Sequence, residues 1–364
     1  MNSLLHFLTG FGNILQSRLF PLLEQDTGEL TAKHKCLAKA VALTRVDQMV
    51  APPRRRGRRP HSRANIMRAF VAKAVFSIPH TRALIDRLKS DAALRRLCGW
   101  ETARDVPDEA TFSRAFAEFS RNQTPERAHA ALIKSSYADH LVGHISRDAT
   151  AIVGREKPAR KPKTPPRRAS RRKHGRKPEE MTRLERQSLP EATLAQMLAE
   201  LPRACDKGCK RDSKGLPQFW IGYKLHLDVA DGQVPVSCLL TSASMHDSQA
   251  AIPLAHITAG RVRNLYDLMD RGYDSQHIRN CSEKLGHVPI IDPLKRGDQD
   301  APVLAPHQQV RFRERTTAER VYARLKDEFG GRFLRVRGAS KVMAHLMFGI
   351  LALTADQILR LAAP

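Results

Sequence analysis

The sequence predicts an α/β protein in which a mixed β-sheet flanked by helices follows an all-helical N-terminal region. Three observations carry this. Residues 1–140 show helical hydrophobic spacing and almost no strand signal, whereas β-branched runs alternate with helical patterns from about residue 141. Within the second region, two strand-like runs meet at Asp231-Gly232, a pair that favours a tight hairpin turn. The sheet therefore mixes a hairpin with later strand–helix units.

In chain order, "MNSLLHFLTGFGNILQSRLF" lacks the basic start of a signal peptide, and Asn13 and Gln16 interrupt its apolar run, so an amphipathic helix is expected. "SRANIMRAFVAKAVFSI" sets Ile66, Phe70 and Ala74 on one stripe, and "DEATFSRAFAEF" sets Phe112, Phe116 and Phe119 at i, i+4 and i+7. Thr124 is the expected N-cap of the next helix, with Pro125 at its first position. "HISRDATAIV" then reads as the first strand and "WIGYKLHLDVADGQVPVSCLLTSAS" as the hairpin. "HDSQAAIPLAHI" follows as a helix, "LYDLMD" as a short strand, "SQHIRNCSEKLG" as a helix and "VPIID" as a strand, with helices to the end. Between the first strand and the hairpin, a basic disordered insert is expected at about 155–215; its 155–178 stretch has Glu156 as its only acid. The division is thus a helical domain at 1–140 and an α/β domain at 141–364.

Lys and Arg number 62 against 37 Asp and Glu, a net charge of +25, which points to a polyanionic partner. Aromatic residues make up only 5%, so a surface gripping duplex phosphates fits better than a platform that stacks single strands. "PPRRRGRRPHSR" at 52–63 places Arg54, Arg55 and Arg56 between prolines, in an extended segment suited to a phosphate backbone. The six cysteines are scattered, consistent with a reducing, cytoplasmic setting. "VMAHLMFGILALTA" falls short of the roughly 20 residues that span a bilayer and contains His345, so a buried helix is expected and no membrane partner.

The chain lacks a Gly-Lys-Ser/Thr phosphate loop and a Gly-x-Ser-x-Gly elbow. Cys205 and Cys209 have no second close Cys or His pair to complete a zinc site. What remains is a set of acids at strand and helix ends: Asp148, Asp270 and Glu319. Three hard oxygen ligands on a basic protein suit Mg²⁺, and two such ions about 3.5–4 Å apart serve phosphodiester cleavage. Arg315, Glu319, Tyr322 and Lys326 share one face of a helix, which surrounds the acid with cations; Arg320 and Arg324 extend the basic stretch.

These residues resemble the DDE transposases of bacterial insertion sequences. "RDATAI" is similar to the family's first motif and "LMDRGYDS" to its second, while "CDKGCKRDSKG" and "FWIGYKLHLDV" match the stretch before the second strand. The third motif is Tyr, two residues, Arg, three residues, Glu, six residues, Lys; Phe312, Arg315, Glu319 and Lys326 stand at those spacings, with Phe replacing Tyr. The resemblance implies an RNase H-like catalytic domain in which Asp148, Asp270 and Glu319 bind two Mg²⁺ ions, which Mn²⁺ can replace. It also implies cutting at terminal inverted repeats and attack of the freed 3′-hydroxyl on target DNA. Arg315, Arg320, Arg324, Lys326 and Arg54 to Arg56 would contact double-stranded DNA. A homodimer or higher synaptic assembly and nucleoid association are further implications. Two alternatives share parts of this pattern, a non-catalytic binder of repeats and a metal-dependent nuclease that cuts without joining. His246 and Asp247 resemble a family feature after the third strand, where Asp247 is expected as a helix cap, with a supporting role behind the acids of the site as the alternative.

Overall fold

A computed structural model describes residues 14–50, 60–138, 140–158, 181–211, 214–295 and 302–362. The first region is helical as expected: α1 (Phe20–Thr27), α2 (Ala32–Thr44), α3 (Arg63–Val75), α4 (Thr81–Ser90), α5 (Ala92–Leu97), α6 (Glu109–Arg121) and α7 (Thr124–Tyr137). Asp108 caps α6 by accepting the Thr111 N–H at 2.8 Å. The spacing of Phe112, Phe116 and Phe119 turns all three rings onto Phe70 of α3, with centroids 5.9, 5.0 and 6.3 Å away. Helix α7 begins one residue earlier than expected: Gln123, in the left-handed region at φ 49°, is its N-cap, and Thr124 is already helical. Arg54, Arg55 and Arg56, and the expected helix up to residue 13, lie outside the described residues.

The second region contains β1 (Leu141–Val153), α8 (Arg183–Gln187), α9 (Leu194–Ala199), β2 (Asp206–Arg211), β3 (Pro217–Ala230) and β4 (Val234–Ser242). It continues with α10 (Ala251–Ala259), β5 (Arg263–Met269), α11 (Gln276–Lys284), β6 (Val288–Ile291), α12 (Pro306–Phe312), α13 (Thr317–Asp327) and α14 (Ala339–Leu361). The sheet runs β2-β3-β1-β5-β6, with β4 also paired to β3. Strands β2, β4 and β1 lie antiparallel to β3, whereas β1, β5 and β6 are parallel to one another. The expected hairpin joins β3 to β4, and Gly232 at φ +75° and Gln233 at φ 63° supply the left-handed residues of its turn.

Two expectations are corrected. Residues 181–211, expected within the disordered insert, form α8, α9 and β2. Their apolar residues explain this: Met197 is buried with Ile252, Tyr273 and Ile278, and Leu201 with Leu239, Met245 and Leu254. The stretch expected to be too short for a bilayer is part of a 23-residue helix, α14, long and apolar enough to cross one, but 72% of its apolar window is buried within the protein.

Helix α14 packs against α2, α3, α6 and α7 as well as β4 and α13. Its Phe348 stacks on Phe70 at 5.3 Å. A Cβ at Gly349 would stand 2.8 Å from the Phe329 carbonyl, so the missing side chain lets α14 approach the end of α13 closely. Leu37 and Phe112 thereby share one core with Leu225, Val236, Leu325 and Leu351.

Candidate active site

Strand β1 is the platform of the site. In its parallel ladder with β5, Arg147 pairs with Met269, so Asp148 and Asp270 follow side by side as the two strands end their pairing. Alternation sends the side chains of β1 to opposite faces. On one face, Arg147 is buried to 1% exposure and forms a two-pronged bond to Asp228, itself fully buried, at 2.8 and 2.7 Å. Thr258 donates to the same carboxylate at 2.6 Å. A single guanidinium thus compensates this charge, and the geometry offsets desolvation only while both partners are present.

On the other face, Ser146, Asp148 and Thr150 meet the segment that carries Glu319. The Ser146 hydroxyl donates to the Arg315 carbonyl at 2.6 Å, and the Lys326 ammonium donates to the Thr150 hydroxyl at 2.7 Å. Between them the Tyr322 hydroxyl accepts the Leu227 N–H at 3.0 Å and lies 2.5 Å from the Asp148 carbonyl and 3.1 Å from that of Leu225. Ala318, Val321, Tyr322 and Leu325 form the buried stripe of α13, and the helix packs against β1 and β3. Arg315 itself belongs to a 3₁₀ turn, Arg313–Thr316, that leads into α13.

Burial pushes the Asp148 carboxyl up to about 7, reinforced by the charges of Asp270 and Asp247 and opposed by the Ala149 N–H and by Arg315. Burial also raises Asp270, against the Gly272 N–H, which its side chain accepts at 2.9 Å, and again against Arg315. Arg315 therefore acts electrostatically on both aspartates while bonding Glu319 at 3.4 Å. Glu319 is more than half exposed. The three acids are not gathered around one point: among the described residues no three Asp, Glu, His or Cys side chains stand where one metal ion would reach them. The donor chemistry fits a hard divalent cation at Asp148 and Asp270, where neighbouring carboxylates are short of compensating charge.

The other expected DNA contacts divide. Arg320 is exposed. Lys326 is half-buried, and burial lowers its pKa. Arg324 departs from expectation, because its guanidinium is turned into the protein and bonds Asp356 at 2.6 Å, Glu328 at 3.0 Å and Gln357 at 2.7 Å. Asp247 also differs: His246 is the N-cap of a short 3₁₀ helix, Asp247–Ala250, and Asp247 instead accepts from Lys224 at 2.8 Å. Lys224, on β3, additionally donates to the Met245 carbonyl. Asp247 beside the aspartates agrees with the alternative to a cap, and what escaped sequence reasoning is its partner Lys224, whose only signal is a lysine inside the apolar run "IGYKLHLDV".

Residues 31–118 match the family model described as a transposase domain (DUF772), and residues 203–355 match the transposase DDE domain. No curated protein matches the chain. Asp270 and Glu319 fall inside the second match, and Asp148 lies between the two. With the helical region and the strand–helix region each matching a transposase model, the chain belongs to the DDE transposases of insertion sequences.

Proposed function

We propose that this transposase performs metal-dependent cleavage at the terminal inverted repeats of its element and transfers the resulting 3′-hydroxyl into target DNA. The observation that carries the reading is the register of β1 and β5, which sets Asp148 beside Asp270 under a helix bearing Glu319. The antiparallel β4-β3-β1 half followed by parallel β5 and β6 supports an RNase H-like domain for this chemistry. Asp148 and Asp270 would hold Mg²⁺, with Glu319 completing the set. Bound Mg²⁺ supplies activation of water and stabilisation of the leaving oxygen.

The chain's own residues have separate tasks. Tyr322 and Ser146 fix the height of α13 over β1. Arg315 compensates the aspartates and holds Glu319 in reserve; once released by Glu319, its guanidinium is free to take a phosphate oxygen. Arg320 and Lys326 extend the cationic edge along duplex DNA, positioning without reading sequence. The helical residues 1–140 would grip the repeats, in a dimer or higher assembly that pairs two ends.

The test is cleavage and joining of a duplex carrying the element's terminal repeat, with Mg²⁺ or Ca²⁺, by wild type and by Asp270→Asn. Mg²⁺-dependent cutting and joining, lost in the variant, establishes the reading. Cutting without joining makes the protein a nuclease. A second reading, DNA binding without catalysis, draws on the Arg315–Glu319 pair and the ungathered acids; tight binding with no cutting under any metal would establish it.

A further inference from the structure

A cavity of about 520 Å³ lies where α3, α6 and α14 meet the segment that follows α13. Its inner wall is aromatic, with Phe70, Phe116 and Phe348 all buried. Phe333, 38% exposed, stands at its edge. Lys73 also lines it and is only 9% exposed, and the acceptor for its ammonium is the Pro79 carbonyl at 3.5 Å. Arg155 and Arg335, both exposed, form its rim and continue into an adjoining hollow of about 380 Å³ with Arg337 and Lys341. Among the described residues none of these five cations has a carboxylate within ion-pair distance; Glu109, which also lines the cavity, faces Arg82 at 3.7 Å.

Four exposed cations with no carboxylate partner among the described residues favour an anion at the rim, and the apolar edges of Phe116, Phe348 and Phe333 beside them suit a flat apolar body. One common ligand class has both: a phosphate joined to an aromatic base. We propose that this cavity is a nucleotide-binding site, with the rim guanidiniums on the phosphate, the phenylalanines against the base and Lys73 donating to an acceptor on the base edge. Two sources share that chemistry, a free mononucleotide and an unpaired nucleotide of bound DNA; the second rests on the transposase reading. The cavity starts where α13 ends at Asp327, about 12 Å along the helix from Glu319 at 1.5 Å per residue, or roughly three to four base-pair steps.

The test uses the full chain without metal. Isothermal titration compares AMP and GMP with ribose 5-phosphate and inorganic phosphate, for wild type and for the rim variants Arg335→Ala and Phe333→Ala. In parallel, a duplex with one extrahelical 2-aminopurine nucleotide is titrated, and its emission is followed. At least one arm should respond, with affinity or signal reduced about tenfold or more in both variants, as expected for a lost charge-assisted or stacking contact. A response to AMP or GMP names the free nucleotide as source, and a 2-aminopurine response names DNA. Phosphate or ribose 5-phosphate binding as tightly as the nucleotides, or variants matching wild type in both arms, overturns the proposal. Both arms run without metal and so without cleavage, and a failure of the cleavage reading leaves this result standing.

Discussion

Replacing Tyr322 by Phe isolates the joint between α13 and the sheet. The hydroxyl is the partner of the Leu227 N–H and lies against the carbonyls of Asp148 and Leu225, in a side chain 5% exposed. Removing it leaves a buried donor unsatisfied, at about 1–3 kcal/mol. With an unfolding entropy of about 2.1 cal/mol/K per residue, the melting temperature of this 364-residue chain should fall by only about 1–4 °C. The effect on cutting should be larger. The hydroxyl sets the separation of Asp148 from the helix bearing Glu319, and about 1 Å of misplacement at a reacting centre costs on the order of 10²-fold in rate. The assay is single-turnover cleavage of a repeat-bearing duplex, with binding measured separately. Phe112→Leu, a core change in the helical half, serves as a control of similar stability loss. Tyr322→Phe should slow cutting about 10²-fold with binding within a few-fold, while the control cuts normally. Wild-type cutting by Tyr322→Phe would refute the positioning role.

Three further outcomes can be checked. Glu319→Gln should abolish cleavage and leave binding to the repeat within a few-fold, as read by gel shift; equal loss of binding would make Glu319 structural. Arg147→Met strands the Asp228 carboxylate in the core and should cost about 3–5 kcal/mol in urea unfolding, much of it regained when Asp228→Leu is added. Glu126 on α7 has a buried carboxylate oxygen with no hydrogen-bond partner among the described residues, and burial raises its pKa from 4.5 to about 7. The folded chain therefore keeps this proton longer than the unfolded chain. The stabilisation is complete below about pH 4.5 and is lost as pH rises through 7, up to about 3 kcal/mol. Glu126→Gln should remove that loss, so denaturant unfolding should show it more stable than wild type at pH 8 and equal to it at pH 4.

Elements defined by local chemistry were legible in the sequence. The phenylalanine spacing of α6, the Asp231-Gly232 turn and the β-branched run of β1 each encode their conformation within a few residues. The adjacency of Asp148 and Asp270 was legible only through motifs, because a parallel register between strands over a hundred residues apart has no local signature. Arg324 and Lys326 show the limit from the other side. Both lie in one basic helical run, yet Arg324 is drawn inward by Asp356 of α14 and Lys326 by Thr150 of β1, partners that only the fold brings near. The same holds for Asp247, whose reading as a cap was reasonable for "MHDSQ" but lost to Lys224 on a neighbouring strand.

The packing of α14 has a consequence for how the molecule comes into being. Leu37 and Phe70 leave the ribosome early, but the surface that covers them includes Phe348 and Leu351, made some three hundred residues later. Such distant closure is slow and leaves apolar surface uncovered meanwhile. The helical half therefore remains an unfinished fold until synthesis has passed Glu319 and reached the last helix. A chain cut short before residue 339 would carry much of the basic surface without the core that shapes it, and should be cleared or aggregate rather than occupy DNA in place of the whole enzyme.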